Sequence, residues 1–393
     1  MPVLQRAEDL KDEITQWRRI IHADPGLLFD VEHTADFVVE KLKSFGIDEI
    51  VTGLGKTGVV GLVRGRRPGR TIGLRADMDA LPLQEMTGKP YASRKPGLMH
   101  ACGHDGHTAM LLGAAKILAE TRDFDGNVAL IFQPAEEGGG GGREMVKDGM
   151  MERFNIEEVY GMHNFPRIPA GSFGLRKGPF LAAVDEFHIT VKGRGGHAAR
   201  PHGCIDPIVI GGQIVSALQT IASRNVDPVD TIVLSTTRFQ AGTANNIIPN
   251  DALLTGTVRT FKPETRDLAE RRMNEIVHGI AAANGATAEL VYNRLYPSTF
   301  NHDAETDHAI AAAIDIVGEK AVMGDLPPLM GGEDFSFMLE ARPGAFIGIG
   351  NGDTADVHHP EYDFNDDIIP FGVSYWVVLA GQRLQALSQL KAA

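Results

Sequence analysis

Residues 99 to 116 read MHACGHDGHTAMLLGAAK, in which His100, Cys102, His104, Asp105 and His107 crowd together before the chain turns apolar. The apolar part, from about Thr108 to Ala119, reads as a helix. A single cysteine is usually a buried small hydrophobe. A loop this rich in imidazole and carboxylate is poor core material, however, so any fold the chain adopts must give these groups polar or metal partners. Thiolate and imidazole are good ligands for zinc and its neighbours. Cys102 and His104 stand two residues apart, where an extended strand or a tight loop would present both to one ion. A metal site is the expectation.

At 393 residues the chain exceeds the ~250 to 300 at which single cores stop growing, so two domains are expected. Cys102 and Cys204, the only cysteines, lie far apart, which argues against a disulfide scaffold and for a reducing compartment. No apolar run approaches the ~20 residues of a membrane span, and the start MPVLQRAEDLKDEI is too polar and acidic for a signal peptide. The chain therefore reads as cytoplasmic, with no membrane partner. A net charge of −13 disfavours nucleic acid, which is bound through clustered Lys and Arg, and favours a small-molecule partner.

Leu4, Ala7, Leu10, Ile14, Trp17 and Ile21 recur at three- and four-residue steps, predicting an amphipathic helix over 4–21 that is stopped by Asp24-Pro25-Gly26. A second helix follows from about Thr34 to Phe45. GVVGLVRG and TIGLRADMDALPL read as strands, the latter ending in Asp77 and Asp79, and NVALIFQPAEE predicts a strand over 127–137. This alternation indicates an α/β core. From 185 the order becomes strand DEFHITVKG, helix 206–223, strands TIVLSTTRFQA and DALLTGTVRTF, helix 263–284 and strand TAELVYNRLYP. That β-α-β-β-α-β order is the ferredoxin-like arrangement, occupying ~110 residues as an inserted satellite domain. Helix 304–318, the segment GAFIGIGN and a closing helix 370–390 return to the helix and strand mix of the first part of the chain. The expected organisation is a discontinuous core of 1–183 and 297–393 around a satellite of 184–296.

Glu136-Glu137 ends the strand NVALIF and precedes five glycines. Adjacent carboxylates repel unless a cation neutralises one or one works as a base. At the carboxyl end of a buried strand, where α/β proteins place ligands, one can bind metal while its neighbour takes a proton from metal-activated water. The glycines do not form a nucleotide loop, because Pro134 and two acids precede them and would repel a pyrophosphate. Gly55-Lys56-Thr57 is no phosphate loop either, since Ile50 stands where its leading glycine should be. Neither G-x-S-x-G nor H-E-x-x-H occurs. GMHNFP contributes His163, and DVHHPEYDFND contributes His358 and His359. With Cys102, His104 and Glu137, the residues His163 and His358 would complete a five-ligand, two-metal site, leaving Asp79 to orient a ligand or tune the water between the metals.

LRADMDALP, MHACGHDGHTAMLLGAAK, FQPAEEGGGGG, GMHNFP, GGHAARP, GGEDFSFM and HHPEYDFND together resemble the dinuclear metal amidohydrolases that include hippurate hydrolase, N-acyl-amino-acid amidohydrolases and auxin-conjugate hydrolases. The resemblance runs from about Trp17 to Phe371. It implies a zinc-aminopeptidase-like α/β/α catalytic core with the inserted ferredoxin-like α+β satellite, and two divalent ions per subunit held by Cys102, His104, Glu137, His163 and His358. Glu136 becomes the general base. His358 is preferred over His359 because the family shares only the first histidine. His197 in GGHAARP resembles a satellite histidine that stabilises the oxyanion, commonly in the neighbouring subunit's site, which implies a homodimer, or a homotetramer, through the satellite. Asn246 and Arg259 resemble the groups that hold the substrate's carboxylate, for which a planar guanidinium is well suited. Asp105 and His107 are expected to support the ligands. One departure is Pro25-Gly26-Leu27, where the family usually has Pro-Glu-Leu.

The expected reaction is hydrolysis of an N-acyl amino acid to a carboxylic acid and a free amino acid, with zinc, manganese, cobalt or nickel as the metal. A dipeptidase or carboxypeptidase using the same residues is the alternative. A non-catalytic metal-dependent binding protein is disfavoured by Glu136, which chemistry needs and affinity does not.

Overall fold

The computed structural model describes residues 5–389, so Leu4 and residue 390, the outer ends of the expected first and last helices, lie outside them. The chain divides into two compact units, Met1–Phe180 with Phe300–Pro327 and Asp334–Ala393, and Leu181–Thr299 with Pro328–Glu333. No helix among the described residues is long and apolar enough to cross a membrane.

The first unit is built on an eight-stranded mixed sheet in the order Glu49–Leu54, Gly58–Arg64, Asn127–Gln133, Thr71–Asp77, Ile156–Pro166, Gly344–Gly352, Phe173–Gly174, Val322–Met323. Its centre is parallel: Thr71–Asp77 pairs with Asn127–Gln133 and Ile156–Pro166, and the last of these with Gly344–Gly352. Every residue of Thr71–Asp77 is buried, as parallel strands covered on both faces must be. From this strand the chain crosses through helix His104–Thr121 to Asn127–Gln133 on one side, then returns to Ile156–Pro166 on the other. Such a reversal opens a crevice at the carboxyl ends of the strands.

Two local differences from the periodicity matter for chemistry. The helix expected from Thr108 begins at His104, so the ligand-type residues ride on its first turn. The strand expected over 127–137 stops at Gln133. Pro134 has no N–H for the ladder, and Ala135 takes a left-handed φ of 55°, so Glu136 and Glu137 fall in a turn. The leading helix is also interrupted at Leu10, into Gln5–Asp9 and Lys11–His22, while Ala7, Leu10, Ile14 and Trp17 still enter one core.

The second unit is a four-stranded antiparallel sheet ordered Ile232–Ala241, Asp251–Thr260, Ala183–Lys192, Thr287–Tyr296. Asp251–Thr260 alternates buried and less buried residues, the pattern of a sheet packed on one face. That face meets helices Pro207–Thr220 and Pro263–Ala283, with Phe187, Leu254, Ile214 and Met273 in a common core. The fold is ferredoxin-like.

In the first unit, a buried ionic cluster ties helix Lys11–His22 to helix His104–Thr121. Arg18 donates to Asp105 at 3.3 Å and to Asp366 at 2.8 Å, and His22 Nδ1 lies 2.8 Å from Asp105. Burial disfavours a charged His22, but Asp105 and Glu85 outweigh it and raise its pKa to about 9. A group raised above its unfolded value of ~6.5 contributes fully below that pH and loses its contribution as pH rises through the folded value. We expect His22→Gln to destabilise the protein most at pH 6, by up to ~3 kcal/mol. Denaturant unfolding across pH 6 to 9.5 checks this, and a gap between variant and parent that does not narrow would count against it.

Candidate metal centre

The carboxyl ends of the parallel strands deliver polar side chains to one place. Thr71–Asp77 is followed at once by Asp79, and Asn127–Gln133 by Glu136 and Glu137. His163 lies inside Ile156–Pro166 itself, and His358 follows Gly344–Gly352. Between Cys102 and His104 the chain turns at Gly103, φ 97°, where a Cβ would sit 2.0 Å from Asn164 Oδ1. Only glycine allows that turn. The glycines after Glu137 serve a similar need, since a Cβ on Gly141 would lie 1.7 Å from the carbonyl oxygen of Pro134. Asp79 spans the acidic turn, with Oδ1 accepting the Glu136 N–H at 3.0 Å and Oδ2 the Glu137 N–H at 3.1 Å.

Ligand-type atoms of three overlapping groups lie within 4.8 Å of one another: Cys102, His104 and His163; Cys102, Glu137 and His358; and His104, Glu136 and Glu137. Cys102 Sγ is 3.2 Å from His163 Nε2, and His358 Nε2 is 3.4 Å from Glu137 Oε1. The five expected ligands and Glu136 are thus gathered. His359 is not among them; its Nδ1 accepts the Glu361 N–H instead. His358 sits at φ 63°, unusual for a residue with a side chain and typical of positions over-determined by a site.

The donor set fits divalent cations. Both ring nitrogens of His104 and Oε1 of Glu137 are buried without a hydrogen-bond partner among the described residues. Orphaned buried polar atoms are costly, and these point into the cluster that the other ligands line. Burial, reinforced by Glu137, Glu136 and Asp77, pushes the Cys102 thiol up. Burial opposes charge on His104 too, but Asp77, Asp79 and Glu137 raise its pKa to about 10. Burial and His107 hold His163 down, in the neutral form that ligates. The pattern is an excess of negative charge that a cation would relieve, releasing protons from sulfur and imidazole.

Beneath the cluster lies a polar layer that residue spacing only partly reveals. His107 is bound on both sides, Nδ1 2.6 Å from Asp77 Oδ1 and Nε2 2.7 Å from Asn164 Oδ1, so it supports its neighbours. Asp105 faces away, toward Arg18 and His22. Arg75, Gln133 and Asp334, to which sequence reasoning gave no role, complete this buried layer. Arg75 donates to Asp77 at 2.8 Å, Gln133 at 2.9 Å and Asp334 at 3.1 Å, and Asp334 also accepts the Gly142 N–H at 2.8 Å. An arginine inside a strand otherwise fit for burial was the available signal, because such a charge must be paired.

The second unit holds the remaining candidates. Gly196–His197 pairs with Ile247–Ile248 as a two-stranded ribbon, and Ala198 N–H donates to Asn246 O at 3.0 Å, so His197 and Asn246 are neighbours despite their distance in sequence. Both side chains are exposed. Arg259 lies on strand Asp251–Thr260, paired in the ladder with Val233 and Val184, half-buried and with no side-chain hydrogen bond among the described residues.

A model of peptidase family M20/M25/M40 matches residues 73–382. The chain is 44% identical over 380 residues to hippurate hydrolase of Campylobacter jejuni, covering 97% of this chain and 99% of that one. It is 39% identical over 383 residues to thermostable carboxypeptidase 2 of Saccharolobus solfataricus, covering 95% and 96%. The crystal structure of a Bacillus subtilis protein described as a dinuclear metal binding peptidase superposes with a TM-score of 0.85 at 36% identity, covering 96% of this chain and 99% of that one.

Elemental analysis of the metal-loaded protein should find about two divalent ions per chain. Cys102→Ala should lower that content, since sulfur is one of few ligands. A variant that keeps the full complement at equal affinity would remove Cys102 from the site.

Proposed function

The chain belongs to peptidase family M20/M25/M40 and is a metallo-amidohydrolase, and on that premise we propose that it hydrolyses the amide bond of N-acyl amino acids, hippurate-like or N-acetylated, to a carboxylic acid and a free amino acid. The observation that carries this reading is the pair Glu136 and Glu137. Their amides are clamped by one aspartate, and their carboxylates lie within 4.8 Å of a His104 ring nitrogen.

Cys102, His104, Glu137, His163 and His358 would hold two divalent ions, with zinc, manganese, cobalt and nickel all compatible with these donors. Such ions supply Lewis acidity, lowering the pKa of a water from 15.7 toward ~7 and polarising a carbonyl. Glu136 accepts the proton of the attacking water and returns it to the departing nitrogen. Asp79 keeps Glu136 and Glu137 in register and lies 3.4 Å from His104 Nδ1, where it orients the ring. His197 donates to the oxyanion, while Asn246 and Arg259 hold the carboxylate of the substrate. Arg259 is suited to that task because its guanidinium is half-buried near Glu186 and Asp185 without being tied to either in an ion pair among the described residues. The second reading, a carboxypeptidase or dipeptidase, is supported by the carboxypeptidase relative.

Metal-loaded protein assayed on hippurate, N-acetyl amino acids and dipeptides distinguishes the two, and dipeptides turned over faster than every N-acyl amino acid would overturn the first. Glu136→Gln should keep its metal and lose ~10² to 10⁴-fold in rate. A rate within a few-fold of the parent would move the base elsewhere.

His197 acts in this reading across the interface of a homodimer formed through the satellite units, which gives two equivalent composite sites. Mixing inactive His197→Ala and Glu136→Gln subunits should restore activity, because one site of a mixed dimer keeps both residues. Verified mixed dimers without recovery would place both residues in the same chain's site.

A further inference from the structure

We propose that the backbone N–H of Ala199 biases the tautomer of His197, so that the ring in its neutral form presents Nε2–H as a hydrogen-bond donor; the use made of that donor rests on the oxyanion role proposed for His197. The loop is pinned at its base, where Arg194 and Ile205 exchange N–H to carbonyl hydrogen bonds of 2.9 Å in both directions. At its tip, the amides of the three residues after His197 are all bonded within the unit. Ala198 N–H donates to Asn246 O at 3.0 Å, and Arg200 N–H to His197 O at 2.8 Å. Ala199 N–H donates to His197 Nδ1 at 3.1 Å.

A backbone N–H can only donate, so Nδ1 must offer its lone pair, and a neutral imidazole then carries its single hydrogen on Nε2. The other tautomer, or the doubly protonated ring, would set two N–H groups against each other across 3.1 Å. One net hydrogen bond biases such a choice by roughly 2- to 10-fold. Nε2 has no protein partner among the described residues, and the side chain is exposed. A ring with one nitrogen tied to its own turn and the other left open is a preorganised donor, with little reorientation needed when charge develops on a ligand oxygen. The same turn reaches Asn246 through Ala198, so the residue proposed to meet the oxyanion is hydrogen-bonded into the same ribbon as one of those proposed for the substrate carboxylate.

Nitrogen-15 NMR of the labelled holoprotein tests the tautomer directly. The neutral ring of His197 should be protonated at Nε2, with a scalar coupling across the hydrogen bond from the Ala199 amide to Nδ1. Protonation at Nδ1, or a mixed ring without that coupling, would overturn the proposal. A kinetic comparison tests the use of the donor. The amide of Gln reaches the position of Nε2, whereas that of Asn reaches only the position of Nδ1. His197→Gln should therefore stay within ~10-fold of the parent in kcat/KM, while His197→Asn falls with His197→Ala by ~10² to 10³-fold. Asn matching or exceeding Gln would overturn Nε2 as the donor. Near-parental activity in all three variants would overturn the oxyanion role of His197, whichever tautomer the spectra report.

Discussion

The carboxylate of Asp79 is the contact on which the centre depends. It lies just past a strand in the parallel centre of the mixed sheet, is fully buried, and accepts the amides of two consecutive residues from the neighbouring strand's end. Burial raises its pKa, and the Glu137 carboxylate adds to that rise, while His104 and the Glu136 amide work against it by stabilising the charged form. Without this acceptor the turn Ala135–Gly138 would leave two buried N–H groups unpaired, and the side chains of Glu136 and Glu137 would lose their common frame. The interaction thus joins two strands, satisfies the backbone and aims the chemistry at once.

Around it the protein tolerates a density of charge that a core would ordinarily reject. Asp77 is buried, yet His104, Arg75 and His107 hold its carboxyl well below the usual range. Asp334 meets the same arginine together with Gln133 and the Gly142 amide. Each negative group in this lower layer has a positive or donor partner. The upper layer is looser: Glu137 Oε1 and both nitrogens of His104 lack hydrogen bonds among the described residues, with His358 3.4 Å from the first and Asp79 3.4 Å from His104 Nδ1. The division between a fully paired layer and an incompletely paired one is what marks the upper layer as a place for cations. The second unit shows the opposite arrangement: the three amides after His197 are bonded locally and one imidazole nitrogen is left open.

Much of this was legible from residue type and spacing. The thiol and imidazoles of MHACGHDGHT, the paired glutamates after a buried strand, and GMHNFP and HHPEY read as candidate ligands because such groups are poor core material, and the structure brings Cys102, His104, Glu136, Glu137, His163 and His358 of these segments together, leaving His100 and His359 outside the groups. The order of strands and helices beyond residue 185 likewise implied a ferredoxin-like sheet, since period-two and period-3.6 patterns alternate there without ambiguity. Arg75, Gln133 and Asp334 were harder to see because their partners lie far away in sequence, 201 residues in the case of Gln133 and Asp334. No local pattern encodes such a pairing.

By itself, then, the sequence determined the inventory: which side chains could ligate, which could accept a proton, and which segments had to be buried to make a covered sheet. Only the tertiary structure decided the allocation. It brought His358, at φ 63°, near Cys102 and Glu137 and left His359 outside that group, gave His107 to Asp77 and Asn164, turned Asp105 away toward Arg18, and set His197 beside Asn246 on one ribbon. The physical reason is that donor chemistry belongs to the single residue, whereas the partner of each donor is set by distances between segments that the chain brings together only when the sheet closes.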